Sequence, residues 1–351
     1  MLNSLYIEAS RKKLSLEEMV PELDSASTIF DNWTDINIRA STKDFSIGAG
    51  DGSFNKKKFL NFNFYAIASE SLVYDGQLKT IEKAEIDTIG HFSNVDDLLR
   101  TYMGIFENKS ALDAIEGYDV DYYLYDGSLY GDLIRPFPVK DNLSKSKREE
   151  ILNTVLDDLD KGIEEDRSNL LTPMLIKRYF KSNLPLFNYT MFLANIEKLL
   201  LLSKILKYNE KIISISKTSI NNEIFESTVP DIAIFDKYTK FEGISKLVYK
   251  KVSNETKHIF PICNEFFKEL EFTIFYLRLD YGKNVLKVEL PYKANVEEVF
   301  DIVEKLKKFS TEGYPYLLKK AHKDVVISNH NVAELINIVN VNAKSGREML
   351  R

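Results

Sequence analysis

The chain has 351 residues, 44% of them hydrophobic with 22 Phe and 19 Tyr, enough for a large aromatic core and too apolar for global disorder. A formal charge of −6 excludes a surface coated in basic residues, although 47 Lys and Arg leave room for a local cationic channel. One cysteine, Cys263, excludes an internal disulfide framework and a cysteine-based zinc site. The start "MLNSLYIEASRKK" has no signal-peptide pattern and no uncharged apolar run reaches spanning length, so the expected location is the cytoplasm, with no membrane partner.

In chain order, residues 4–21 read as an amphipathic helix carrying Leu5, Ala9, Leu14 and Met19 among charges. Three extended segments follow at 44–54, 60–76 and 78–90, rich in β-formers and separated by glycine-containing turns, with Asp75-Gly76 as a hairpin signal. A helix is expected from Ser93 as N-cap, with Asp96 and Asp97 in its first turn and Leu98, Leu99, Tyr102 and Phe106 on its apolar stripe. "YDVDYYLYDGS" after Gly117 reads as a fourth strand, 144–181 as charged and helical, 189–208 as an apolar helix and 211–219 as a fifth strand. Beyond 225 come a hairpin across "LDYGKN" (279–284), a helix at 296–309 and a helical tail from about 316. An antiparallel meander followed by strands with helical crossovers points to an α/β fold with a mixed sheet.

The tripeptide Asp-Gly-Ser occurs twice, in "GAGDGSF" (48–54) and "YDGSLYG" (125–131). Taken alone it is a common solvated turn, since aspartate caps local amides and glycine accepts positive φ. Strand parity gives it a second meaning. Phe45, Ile47, Ala49 and Asp51 share one side of an extended chain, as do Val120, Tyr122, Leu124 and Asp126. Ile213, Ile215 and Lys217 repeat the pattern with a basic end. Three apolar rows thus run into charges that need partners or a metal at half-buried positions. Lys217 is otherwise an ordinary surface lysine, and Glu107, beside Phe106, an ordinary boundary glutamate. In "GYPYLLKKAHKDVV" (313–326), Pro315 suits a first helical turn, which would set Leu318 and His322 on one helix face. That histidine also reads as structural.

The stretches "GAGDGSF", "FENKSALDAIE" with "YYLYDGSL", "ISISKTS" and "GYPYLLKKAH" together resemble the NurA nucleases, archaeal and bacterial DNA-end-processing enzymes with an RNase H-like core. The resemblance extends from residue 48 to 322. It implies that Asp51, Glu107 and Asp126 are metal carboxylates, that His322 is a further ligand or site acid, that Tyr314 lines the site and that Lys217 meets the phosphate. The family tail has a second proline after "GYPY"; here that position is Leu317. Read this way, residues 1–351 are one nuclease domain. A helical lead-in (1–40) precedes an RNase H-like core (41–220) with a helical insertion (137–190), and a C-terminal hairpin and helical elaboration (221–351) completes the site.

The resemblance further implies 5′ to 3′ exonuclease and single-strand endonuclease activity in double-strand break end resection, a homodimer, and partnership with a HerA-type hexameric translocase. The chain has no phosphate-binding loop of its own for that ATPase. Phosphodiester hydrolysis with two divalent cations fits clustered carboxylates, and an imidazole among them favours Mn²⁺, with Mg²⁺ as a weaker substitute. For DNA, "NKKK" (55–58), "KSKR" (145–148), "KRYFK" (177–181) and "KLVYKK" (246–251) are candidate phosphate contacts, each also readable as a solvated face. Two rivals are an RNase H-like nuclease acting on RNA or hybrids, and a non-catalytic translocase-interaction module.

Overall fold

Strand β1 (Trp33–Asp35) is followed by the long meander β2 (Ile47–Lys58), β3 (Asn63–Tyr74) and β4 (Leu78–Ile89). This is a computed structural model, and it describes residues 2–17, 27–135, 143–180 and 186–340. β2 and β3 pair antiparallel over their whole length, Ile47 opposite Tyr74 and Lys58 opposite Asn63. Gly76, at φ +103°, makes the turn into β4, a conformation that glycine adopts without a Cβ clash.

The helix Val95–Gly117 then crosses one face, and β5 (Tyr122–Asp126) returns parallel to β2. A second long helix, Leu186–Ile205, leads through a 3₁₀ turn into β6 (Ile212–Ser216), parallel to β5. The order β4-β3-β2-β5-β6, with the first three strands antiparallel and the last two parallel, is the RNase H-like mixed core. The second half of the chain widens it. β7 (Gly243–Ser245), β8 (Val248–Lys251), β9 (Glu271–Arg278) and β10 (Leu286–Leu290) extend the sheet beyond β6, and β1 closes that edge on β7. The β9–β10 hairpin turns through Gly282 at φ +65°.

Two apolar cores flank the sheet. On one face Tyr102, Phe106, Tyr123 and Phe192 are buried between the two long helices and the strands. On the other, Ile47, Ala49, Leu124, Ile213 and Val288 meet Ile302 and Leu306 of the helix Val296–Lys308, and Leu318 and Ala321 of the helix Tyr316–Val325. The alternation of β2, β5 and β6 side chains between these cores is the parity expected from the sequence, except that Val120, expected beside Tyr122 and Leu124, precedes β5 and is buried in the first core.

Within 137–190, the helices Lys145–Glu165 and Leu171–Tyr179 pack on the first core through Ile151, Val155, Leu159 and Leu175. A fully buried ion pair fastens them, with Lys109 Nζ 2.8 Å from Glu197 Oε1. The same carboxylate accepts from the Leu171 and Thr172 amides and the Thr172 hydroxyl, while Lys109 also donates to the Asn169 carbonyl. Every polar atom of the pair is thereby satisfied, the condition under which a buried charge pair is tolerated.

Several expectations are corrected. The first Asp-Gly-Ser is not a turn but lies mid-strand in β2, opposite Glu70, Ser69 and Ala68. Asn94, not Ser93, is the N-cap of the helix that follows β4, and its side chain makes no cap bond. The lead-in helix spans Asn3–Glu17, and its Leu5 is exposed instead of packed. Met19 lies outside the described residues. The tail is two helices, Tyr316–Val325 and Asn329–Ile338, separated because Ser328 caps the second in a capping box with Asn331.

Candidate active site

The site lies where the sheet splits. Parallel pairing between β2 and β5 ends at Gly50 opposite Tyr125, while β2 continues along β3 to Lys58. Asp51 is the next residue of β2 and Asp126 the last of β5, so both carboxylates occupy the open fork on the second-core side. The helix Tyr316–Val325 packs on β2 there, with Leu318 anchoring it in the core and His322 one turn later reaching the fork. His322 Nδ1 stands 2.6 Å from Asp51 Oδ2. Asp51, Asp126 and His322 each offer a donor atom within 4.8 Å of the others, and they are the one such trio among the described residues.

Lys217 follows the end of β6, its Nζ 2.9 Å from Asp126 Oδ2 and 5.0 Å from the ring centre of Tyr314. Tyr314 arrives on a two-strand hairpin, β11 (Ser310–Thr311) and β12 (Tyr314–Pro315), whose turn needs Gly313 at φ +77°. A Cβ at Gly313 would also lie 2.6 Å from Lys283 Cβ. The Tyr314 hydroxyl is buried without a hydrogen-bond partner among the described residues, and burial, then Asp126 and Asp51, push its ionisation far up. Leu317, where the family tail has proline, is buried without breaking the helix.

Glu107 approaches from the opposite layer. The glycines of "GAGDG" explain how, because Gly48, Gly50 and Gly52 form a bare stripe on the first-core face of β2. The Tyr123 ring lies beneath Gly48 and Gly50, its hydroxyl 2.7 Å from Ser71 Oγ, and Glu107 occupies the space at Gly52. A Cβ at Gly52 would sit 2.5 Å from Glu107 Oε1. Burial, reinforced by Asp51 and opposed by Lys198, raises the Glu107 carboxyl to about 8. Burial also holds Asp126 above its ordinary range despite Lys217. The fork therefore gathers carboxyl groups whose charged forms burial disfavours and its own lysines do not fully offset. Hard oxygen donors with one imidazole are a donor set that fits a divalent cation.

The second Asp-Gly-Ser is a turn. Gly127 takes φ +122°, and Ser128 caps the short helix Leu129–Ile134 by accepting from the Gly131 amide. The buried Glu289 accepts from Ser128 Oγ and the Tyr130 amide and pairs with Lys287, which fixes the end of β5 behind Asp126. A cleft of about 600 Å³ opens along Glu107, Asp126 and Lys217 and is also lined by Phe54, Arg100, Met103, Asp132, Arg135 and Lys198. None of the latter was singled out in the sequence. The spacing of Arg100, Met103, Gly104 and Glu107 on one helix face was the available signal.

The lysine clusters fare differently. Lys56 pairs with Asp96, Lys147 with Glu150, Arg178 with Asp158, Lys250 with Glu223 and Lys251 with Glu269. None of these five lines the 600 Å³ cleft.

Comparison with known proteins agrees with this architecture. The chain is 31% identical over 328 residues to the "Probable DNA double-strand break repair nuclease NurA" of Methanocaldococcus jannaschii, covering 88% of this chain and 82% of that protein. It is 27% identical over 345 residues to the "DNA double-strand break repair nuclease NurA" of Saccharolobus solfataricus, covering 96% and 90%. Among solved structures, the NurA nuclease from Sulfolobus solfataricus superposes with a TM-score of 0.75 at 24% identity, over 97% of both chains. A NurA bound to dAMP and manganese superposes at 0.68 with 18% identity, over 96% of this chain and 98% of that one. The NurA domain model matches residues 45–327, and with that extent of agreement in sequence and fold, the chain belongs to the NurA family.

Proposed function

We propose that the protein is a divalent-metal-dependent DNA nuclease of double-strand break repair. The observation that carries this is the convergence of Asp51, Asp126 and His322, from three separate elements, on one open fork of the sheet. Its relatives bear the names of DNA double-strand break repair nucleases, which supports a DNA-cleaving hydrolase. Asp51, Asp126 and His322, with Glu107 from the opposite layer, would hold the metal, in our reading two ions. Bound divalent cations supply an acidified water nucleophile and neutralise charge developing on the phosphate. Manganese suits a set containing imidazole, and manganese is named in the structure of another NurA.

The chain's own groups divide the remaining work. Lys217, at the end of β6, meets the scissile phosphate and opposes its growing negative charge. Tyr314, with its ring beside the Lys217 ammonium, walls the site and keeps that cation directed at the fork. His322 stands more exposed than the acids and fixes the orientation of Asp51 through their contact.

The 5′ to 3′ polarity, single-strand endonuclease activity, homodimer and HerA-type translocase partner rest on the family resemblance and on no individual residue. Metal-assisted phosphodiester hydrolysis does not by itself discriminate a 2′-hydroxyl, so matched DNA and RNA strands belong in the first assay.

Asp51→Asn and Asp126→Asn keep side-chain shape but remove charge, and each is expected to abolish cleavage of end-labelled single-stranded DNA in manganese with an unchanged circular dichroism spectrum. Near wild-type cleavage by either folded variant would overturn the assignment.

A further inference from the structure

We infer that the cleft on the first-core side of β2 is a binding subsite for an unpaired DNA strand, with Lys198 and Arg100 as its phosphate contacts and Phe54 as a base-stacking surface. This rests on the nuclease reading above and assigns the path of the strand beside the fork.

Side chains from the helix Val95–Gly117 and from the sheet line the cleft. From the helix Val95–Gly117 come Arg100, Met103 and Glu107 on one face. Phe54, on the opposite side of β2 from Asp51 and Ser53, comes from the sheet. Arg100 lies two helical turns, ~10 Å, from Glu107 along the helix, so the cleft extends away from the fork. It has the dimensions of a small-molecule pocket, which suits unpaired nucleotides. Phe54 and Met103 are half-buried and leave apolar surface in its wall, the kind on which bases stack without regard to sequence.

The cations make the case stronger. Lys217, Lys198, Arg100 and Arg135 line the same space as the carboxylates Glu107, Asp126 and Asp132. Once the first two acids serve metal, cations exceed the acid that remains. Arg100 is exposed and forms no ion pair among the described residues. Lys198 Nζ is 3.0 Å from Asp132 Oδ2, one carboxylate that a phosphate replaces in kind.

Gly104 shows that Lys198 is admitted to this place by the backbone opposite. A Cβ there would lie 3.1 Å from Lys198 Cε and 3.4 Å from its Nζ. Glycine inside a helix costs about 1 kcal/mol relative to alanine, and here it clears the passage of a lysine from the helix Leu186–Ile205 into the cleft.

The test is binding of a phosphorothioate oligothymidylate, resistant to cleavage, by fluorescence anisotropy in manganese across a salt series. Each phosphate contact on a single strand contributes about 0.7 to the slope of log K against log salt. Lys198→Gln and Arg100→Gln are each expected to lower the slope by about that amount and the double variant by about twice it, with an unchanged circular dichroism spectrum in all three and manganese affinity by calorimetry unchanged in Arg100→Gln. Phe54→Leu, which keeps the packing volume, is expected to weaken binding about tenfold with an unchanged salt slope. Wild-type slopes in both charge variants, with wild-type protein binding the strand, overturn the subsite and leave the nuclease reading standing. A wild-type protein that neither binds nor cuts single-stranded DNA overturns both.

Discussion

Glu107→Gln should stabilise the metal-free protein, by an amount that grows as pH rises towards about 8. The carboxyl is raised from an ordinary 4.5 to about 8, first by burial and then by Asp51. Below pH 4.5 it is protonated in both folded and unfolded chains and affects neither. Between 4.5 and 8 the unfolded chain releases the proton while the folded one retains it, so stability falls as pH rises, and above 8 the loss is complete. At 1.36 kcal/mol per pH unit the full span is worth ~5 kcal/mol, and water reaching Glu107 through the cleft reduces that to about 3 kcal/mol. With an unfolding entropy of about 2.1 cal/mol/K per residue, this is a difference of roughly 4 °C. Thermal unfolding in chelator at pH 5 and pH 9 measures it: equal melting temperatures at the lower pH and a more stable variant at the higher one are expected. Manganese should stabilise the wild type more than the variant, because the charge is then matched. A variant no more stable than wild type at pH 9, or equally more stable at both pH values, would refute the reasoning.

Lys217→Ala should lower single-turnover cleavage by roughly 10²-fold or more, in the range of losing one transition-state donor, while leaving calorimetric manganese affinity nearly unchanged. The reverse pattern would place Lys217 in metal binding instead. Wild-type protein should cleave faster with manganese than with magnesium at equal concentration, and His322→Asp should narrow that ratio by making the donor set all oxygen. An unchanged ratio in initial rates would remove His322 from the metal site.

Much of the fork was readable from alternation alone. Once Ile47, Ala49, Leu124, Ile213 and Ile215 were assigned to one side of their strands, Asp51, Asp126 and Lys217 had to follow them to the same face, and the two cores divide along that line. The helical tail was equally legible, since Pro315 marks its start and Leu318 fixes the face that carries His322. What misled was glycine. In "GAGDGSF" it reads as turn chemistry, whereas the three glycines are spaces for Tyr123 and Glu107, and only the opposing layer reveals that. The short strands β1, β7 and β8 were unreadable for a related reason. They hold three or four residues each and owe their pairing to the edge of β9 and to one another, partners far away in sequence. Lys198 sits on an apolar helix and shows its role only through the hole left at Gly104.

The contact between Asp51 and His322 spans 271 positions of sequence. During synthesis both aspartates leave the ribosome early, and the meander with its two parallel strands can form around them. A chain that stops before Tyr316 holds those acids but neither the imidazole nor the helix that covers β2. A product truncated before Tyr316 would keep the greater part of the sheet and lose the third member of the Asp51, Asp126 and His322 trio, so in our reading assembly of the site waits on a residue 271 positions beyond Asp51.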